Sequence, residues 1–322
     1  ENLPDMPLLK KTNDGYYSLD EVRTDPIGRL QMMKFDRIKI EEATRKALRQ
    51  VGKDAYLEGE DNDYFSGKLK SNPIVLTGIN LGDFGKGNEG GKRKEYNFLD
   101  LLKAIEAFDS GIERFRISSI EPNLLRQETI DFVADSKRFV PHFHIPLQSG
   151  SNEILAAMRR RYQRELYVKR VSQIKARMPH ACIGVDVIVG FPGETLKDFE
   201  LTKKAFVQAG FEMGFIFKYS DRSGTPSVEM DGKIEVGELE RRNHELLDLL
   251  EKQSLKSNRR MLDQAVEVLV EGEARKGRGQ LMGRTRCFRK VNFEGDPSLI
   301  GDIRMIEVTR ATPYSLFGTL IN

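Results

Sequence analysis

Cysteine is nearly absent from this sequence of 322 residues, which contains only Cys182 and Cys287. No CxxC or CxxxCxxC motif is present, so the chain itself cannot supply the three thiolates of an iron–sulfur cluster or a cysteine-based zinc site. Two cysteines are also too few for a disulfide framework. We expect each of them to be a small buried hydrophobic residue, and we assign no metal ligand.

The sequence also lacks a strong charge of either sign and any long apolar run. Its 52 basic and 49 acidic residues give a net charge of +3, which is too small to identify a partner. The longest apolar runs, such as residues 183–191, fall far short of the roughly 18 residues that a membrane span needs. Residues 1–30 lack the apolar core of a signal peptide. We therefore expect a soluble, cytoplasmic protein with no membrane partner.

The pattern of the sequence changes along the chain and divides it into zones. Residues 1–72 are interrupted by prolines and form an irregular segment of unclear origin, with one predicted helix at 39–51. Residues 73–237 alternate short apolar runs with amphipathic segments, which is typical of a parallel sheet covered by helices, either a barrel or a doubly wound sheet. A polar linking helix over 238–262 leads to residues 263–322, where five short strands predict a small all-β barrel.

In the middle zone, polar residues and glycines follow the predicted strands, at the edge where parallel α/β folds bind ligands. The predicted strands are 74–79, 114–119, 142–147, 183–190 and 214–219, and the predicted helices are 97–108, 127–134, 152–178 and 196–209. Asp186 lies inside an apolar strand, so its carboxylate needs either a structural partner or a ligand hydroxyl. The turn from Gly190 to Gly193 either approaches a ligand closely or is an ordinary β-to-α turn. His142 and His144 point to one face, where we expect packing or hydrogen-bonding roles.

One segment of the small barrel carries basic residues and no acidic residue. Its members are Arg275, Lys276, Arg278, Arg284, Arg286, Arg289 and Lys290. A one-sign stripe with Phe288 interleaved predicts contact with RNA phosphates and an aromatic ring free to stack on a base. The alternative is a solvated strand edge protected by charge. The run from Arg159 to Arg161, taken alone, indicates a solvated helix face.

Several motifs of the middle zone occur in the order of one known family. They are residues 74–85 (IVLTGINLGDFG), 116–122 (RISSIEP), 142–151 (HFHIPLQSGS), 158–162 (MRRRY), 184–195 (GVDVIVGFPGET) and 218–226 (KYSDRSGTP). The terminal segment with GRT, KVNFEG, IGD and SLFG is similar to a TRAM domain. Over about residues 73–322, the sequence resembles the radical S-adenosylmethionine tRNA methylthiotransferases.

The resemblance implies a partial parallel (β/α)6 barrel of the radical S-adenosylmethionine type, followed by a small all-β TRAM barrel that holds tRNA. Members of the family add a methylthio group to C2 of a modified adenosine beside the anticodon, using S-adenosylmethionine and two [4Fe-4S] clusters. We expect the anticodon stem-loop of tRNA as the partner, and no DNA. The barrel motifs favour N6-threonylcarbamoyladenosine as the substrate, with N6-dimethylallyladenosine as the next choice.

The family's strand-end cofactor positions are carried over motif by motif, and no catalytic residue is assigned. The positions in this sequence are Thr77, Gly78, Asn80, Ser119, Glu121, Gln148, Asp186 and Tyr219. The sequence departs from the family because the cluster cysteines are absent. Three hypotheses follow: a methylthiotransferase by descent, a non-catalytic tRNA-binding relative or altered chain, and a generic α/β enzyme for a nucleotide-like ligand.

Overall fold

The computed structural model describes most of the chain from residue 113 onward and a few segments before it. The described residues are 10–11, 17–18, 74–76, 81–84, 97–107, 113–274 and 279–321. The chain forms two compact units, one of Glu1–Leu69 with Asp83–Gly111 and one of Lys70–Gly82 with Ile112–Asn322. The irregular segment predicted at 1–72, except for two short strands, and its helix predicted at 39–51 lie outside the described residues.

In the first unit, strands β1 (Lys10–Lys11) and β2 (Tyr17–Ser18) pair antiparallel. Helix α1 (Phe98–Ala107) is the helix predicted at 97–108. Asn97 begins it, because its side-chain oxygen accepts hydrogen bonds from the backbone N–H groups of the first turn. The side chains of Phe98, Leu102 and Ile105 recur at helical spacing and are buried.

Five parallel strands form the sheet of the second unit. They are β3 (Ile74–Leu76), β4 (Phe115–Ile117), β5 (His142–His144), β6 (Cys182–Val189) and β7 (Met213–Lys218). β3 pairs with β4, and β5, β6 and β7 pair in sequence order. Parallel bridges from Phe115 to Phe139 and from Ser119 to His144 join the two ladders. Strand order that follows chain order is the arrangement of a barrel wall, so the doubly wound alternative is wrong.

Helices follow the strands as predicted, with one break. They are α2 (Gln127–Asp135), α3 (Asn152–Ala157), α4 (Arg164–Arg177), α5 (Leu196–Ala209) and α6 (Val236–Arg259). The single helix predicted over 152–178 is wrong, because the backbone of Arg159 turns left-handed (φ 57°) and a loop separates α3 from α4. Thr195 and Asp198 form a capping box that begins α5, and Gly210 ends it with φ 65°. Among the described residues, no helix has the length and apolar character needed to cross a membrane.

The C-terminal strands close into a five-stranded barrel in the order β10-β12-β11-β8-β9. The strands are β8 (Ala265–Glu273), β9 (Gln280–Thr285), β10 (Lys290–Glu294), β11 (Ile303–Ala311) and β12 (Leu316–Leu320). Alternate side chains, including those of Val268, Val291 and Phe293, fill the barrel core. The alternating run at 283–293 belongs to two strands, β9 and β10, joined by a tight turn. The predicted small all-β barrel itself is confirmed.

Candidate functional site

An acid–histidine pair lies on the sheet between β5 and β6. The Nε2 atom of His144 is 2.9 Å from Oδ2 of Asp186, and the two side chains are 17% and 23% exposed. His144 is therefore the structural partner that a carboxylate inside an apolar strand requires. Because both side chains stay partly accessible, the pair can also hydrogen-bond a ligand from the open side.

Gln148 lies beside this pair at the carboxyl end of β5. Its backbone is left-handed (φ 63°), its N–H donates to the carbonyl of Asp186, and its carbonyl accepts from the N–H of Ile188. The backbone bonds hold Gln148 in a conformation that is costly for a non-glycine residue. Ser119 reaches the same edge through its parallel bridge with His144.

Glu121 and Tyr219 have hydrogen-bond partners within the second unit. Glu121 accepts a hydrogen bond of 2.9 Å from Nη1 of Arg160. The hydroxyl of Tyr219 donates to Asp221, and the hydrogen bond from Lys233 lowers the pKa of the Asp221 carboxyl. Both residues follow strands, β4 and β7 respectively, at the edge where parallel α/β folds bind ligands. Thr77, Gly78 and Asn80 lie outside the described residues.

Two aromatic rings on β7 complete this face of the sheet and were missed by the sequence analysis. Phe215 is the register partner of Asp186, its ring is 61% exposed, and its centre is 6.4 Å from that of His144. Phe217, two residues on, stacks on Phe215 with ring centres 6.1 Å apart. The alternation of side chains along a strand could have revealed them, because residues two apart, such as Phe215 and Phe217, lie on the same face of the sheet. That face also carries Asp186, the register partner of Phe215.

The glycine turn after β6 serves helix packing. Gly190 has φ 74°, and a Cβ there would lie 2.1 Å from Cδ1 of Leu239 on α6. The carboxylate of Glu194 accepts the N–H of Gly190 at 2.7 Å and the Nη1–H of Arg242, also on α6, at 2.9 Å. Of the two interpretations left open for this turn, these contacts match the ordinary β-to-α turn, packed here against α6.

Phe288 sits in the turn between β9 and β10 and is enclosed by charged side chains. The guanidinium carbons of Arg116 and Arg284 each lie 4.1 Å from its ring centre, and His142 lies 4.9 Å away. Its φ of 73° is left-handed, so the ring is directed by the turn and held by cation–π contacts. The expectation that this ring is free to stack on a base is wrong.

Two of the four described residues of the basic stripe, Arg286 and Arg289, bond the α/β portion of the same unit. Arg284 also bonds Glu271, and Arg286 donates to the backbone carbonyl of Lys137. Arg289 is buried, and its guanidinium donates to Asn258 and Ser257 on α6, which leaves it no free donor face for RNA. Lys290 is half-buried. Arg275, Lys276 and Arg278 lie outside the described residues.

His142 is buried beneath the Phe288 ring, and neither of its ring nitrogens has a hydrogen-bond partner among the described residues. Burial, reinforced by the charge of Arg116, lowers the pKa of His142 to about 3. The imidazole is therefore neutral and packs as an aromatic ring, as the sequence analysis expected.

Neither cysteine fits a metal or cluster site. Cys182 and Cys287 are both buried and are not joined in a disulfide, and burial raises the pKa of the Cys182 thiol. A raised pKa disfavours the thiolate that ligates metals. Across the residues that the structure describes, no group of three or more His, Cys, Asp and Glu side chains is arranged to hold a metal ion. The chain's own residues therefore do not fit a [4Fe-4S] cluster.

Comparison with known proteins defines the class from the two portions of the fold. Residues 66–206 match the Radical SAM superfamily, and residues 259–321 match the TRAM domain. The chain is 40% identical over 248 residues to a tRNA-2-methylthio-N(6)-dimethylallyladenosine synthase of Alkaliphilus oremlandii, covering 77% of this chain and 52% of the relative. A synthase of the same name from Mycobacterium ulcerans is 41% identical over 252 residues, covering 76% and 47%.

These domain matches and relatives support the family of the radical S-adenosylmethionine tRNA methylthiotransferases. It spans about half the length of the curated relatives it matches. Among solved structures, coproporphyrinogen III oxidase of Escherichia coli, a radical SAM enzyme, aligns over 64% of this chain and 50% of its own, with a TM-score of 0.39 and 11% identity.

Proposed function

We propose that this chain provides the S-adenosylmethionine site and the tRNA-binding surface of a cytoplasmic tRNA methylthiotransferase. The observation that carries the proposal is the Asp186–His144 pair with the exposed ring of Phe215 beside it. A carboxylate accepts hydrogen bonds from ribose hydroxyls, and a flat ring offers a stacking surface to a purine. These side chains therefore fit a nucleoside ligand.

When bound, S-adenosylmethionine would supply the methyl group and the radical for methylthiolation. In this chain, Asp186 and Gln148 bind and orient the cofactor's polar groups, and His144 holds the Asp186 carboxylate in place. Ser119 and Glu121 contribute further polar groups along the same edge, with Tyr219, Thr77, Gly78 and Asn80 assigned there by the family motifs. No step is assigned to an iron–sulfur cluster, because the residues present do not fit one.

The substrate adenosine that we propose differs from the preference of the sequence analysis. Relatives at 40% and 41% identity are named as dimethylallyladenosine synthases, and they do not support threonylcarbamoyladenosine. We therefore propose N6-dimethylallyladenosine in the anticodon stem-loop. We propose that Arg284, Arg286 and Lys290 on the small barrel contact RNA. Arg275, Lys276 and Arg278 are added on the ground of their charge alone. Arg289 is left out because it is buried.

The second candidate is a tRNA-binding relative without catalysis. Both cysteines of the chain are buried, and this observation favours that alternative for the chain by itself. The two candidates share the RNA surface and differ in whether S-adenosylmethionine is bound.

Calorimetric titration of S-adenosylmethionine into the full chain tests the proposed site. Asp186→Ala and Gln148→Ala should each weaken binding by about 1–3 kcal/mol, because each removes a hydrogen bond to the ligand. Asp248→Ala and Gln208→Ala, at exposed helix positions, are the matched controls and should bind as the wild type does. Wild-type affinity in both site variants would exclude this pocket.

A further inference from the structure

The loop between α3 and α4 is fixed to the strand ends by alternate residues. Arg160 donates to the carboxylate of Glu121, which follows β4, over 2.9 Å. The buried hydroxyl of Tyr162 donates to the carbonyl of Pro146, two residues before Gln148, also over 2.9 Å. Burial raises the pKa of Tyr162, so its hydroxyl remains a proton donor. The loop is therefore a fixed part of the edge that carries the candidate site.

Arg159 and Arg161, the other two members of the same run, have no such partner. Within the described part of the chain, neither guanidinium makes an ion pair or a hydrogen bond, and Arg161 is exposed. By contrast, the following arginines are engaged: Arg164 bonds Glu165 and the carbonyl of Gly150, and Arg170 bonds the carbonyl of Pro122. Two free cations thus flank an anchored one in a loop, and the expected solvated helix face is wrong.

The backbone at Arg159 adds a second observation. Its φ of 57° is left-handed, which costs on the order of 1 kcal/mol for a non-glycine residue. The anchors at Arg160 and Tyr162 hold this conformation, and strained residues concentrate at functional sites. The left-handed conformation of Arg159 therefore lowers the stability of the fold, and the loop that holds it carries two arginines beside the strand ends.

We propose that Arg159 and Arg161 bind backbone phosphates of the RNA substrate at the entrance to this site. The inference rests on the proposed function for the identity of the partner, and it adds an RNA contact beyond the small barrel. Guanidinium groups suit phosphate oxygens because their planar donors bind two oxygens at once. With phosphates held at the entrance, the modified base is directed toward the Asp186 side of the sheet.

Salt-dependent filter binding of an unmodified tRNA transcript to the full chain tests the proposal. Replacing both arginines with glutamine should weaken binding at least tenfold near 0.1 M salt and lower the slope of log K against log salt by about 2, one per phosphate contact. The double variant Arg159→Lys, Arg161→Lys places a non-glycine residue in the same left-handed backbone at position 159 but keeps both positive charges. It should therefore retain the wild-type slope. Arg259→Gln with Arg260→Gln, an exposed pair at the end of α6, is the control and should change nothing.

Each outcome decides the proposal. A wild-type slope in the double glutamine variant overturns the inference and leaves the proposed function standing, whereas a wild-type chain that binds no tRNA overturns both. If the lysine and glutamine double variants lose the same affinity for tRNA, the shape of the side chains rather than their charge sets the binding, and the proposal is also overturned. If the double variant folds poorly, Arg161→Gln alone, at an exposed position, should still lower the slope by about 1.

Discussion

The buried ion pair between Glu194 and Arg242 ties the turn after β6 to helix α6. The two side chains are only 2% and 6% exposed, and Nη1 of Arg242 lies 2.9 Å from Oε1 of Glu194 and 3.1 Å from its carbonyl oxygen. The other carboxylate oxygen accepts the N–H of Gly190. Burial raises the pKa of Glu194, which shows that its charge is held at a desolvation cost.

Arg242→Ala should lower the free energy of unfolding by about 3–5 kcal/mol, because it leaves the Glu194 carboxylate buried and unpaired. The neighbouring Arg241 is the matched control: it pairs with Glu238 and Glu245 but is 50% exposed, so Arg241→Ala should cost less than about 1 kcal/mol. The combined variant Glu194→Gln, Arg242→Met removes both charges and should lose less stability than Arg242→Met alone.

Equilibrium urea unfolding followed by circular dichroism measures these differences, with the slope against denaturant checked for constancy among variants. The reasoning is refuted if Arg241→Ala and Arg242→Ala lose the same stability. It is refuted as well if the double variant is no more stable than Arg242→Met, since the unpaired carboxylate would then not be the cause of the loss.

Burial lowers the pKa of His142 to about 3 from an ordinary value near 6.5. The free energy of unfolding should therefore decrease as the pH falls from 6.5 toward 3, by up to about 1.4 kcal/mol per pH unit, because the unfolded chain binds the proton and the folded chain does not. His142→Phe should remove this component, His180→Phe at an exposed position should keep it, and a pH profile unchanged in His142→Phe would contradict the buried neutral ring. Lys290→Gln should lower the salt slope of tRNA binding by about 1 while Lys252→Gln leaves it unchanged, and equal slopes would remove Lys290 from the RNA surface.

The sequence predicted the order and type of nearly all elements in the second unit. Parallel strands buried on both faces leave continuous apolar runs, such as that of Cys182–Val189, which are easy to recognise. The break in the helix predicted over 152–178 and the turn between β9 and β10 share one cause: Arg159 and Phe288 both adopt left-handed φ without being glycine. Their conformations are held by contacts with distant residues, and local sequence gives no sign of them.

The candidate site was only partly predictable for a similar reason. The period of two placed His142 and His144 on one face, but the pairing of His144 with Asp186 depends on the register between β5 and β6. The charge of the basic stripe was also plain in the sequence. The direction in which its side chains point was not, because the contacts of Arg286 and Arg289 are with residues far along the chain.

The central claim is that this chain carries ligand-binding surfaces without cluster ligands of its own. Anaerobic reconstitution with iron and sulfide, followed by iron analysis and electron paramagnetic resonance of the reduced protein, tests it most directly. We predict no stoichiometric iron and no [4Fe-4S]⁺ signal, while S-adenosylmethionine still binds. About four irons per chain, with a signal that shifts on adding S-adenosylmethionine and with 5′-deoxyadenosine formed, would contradict the account.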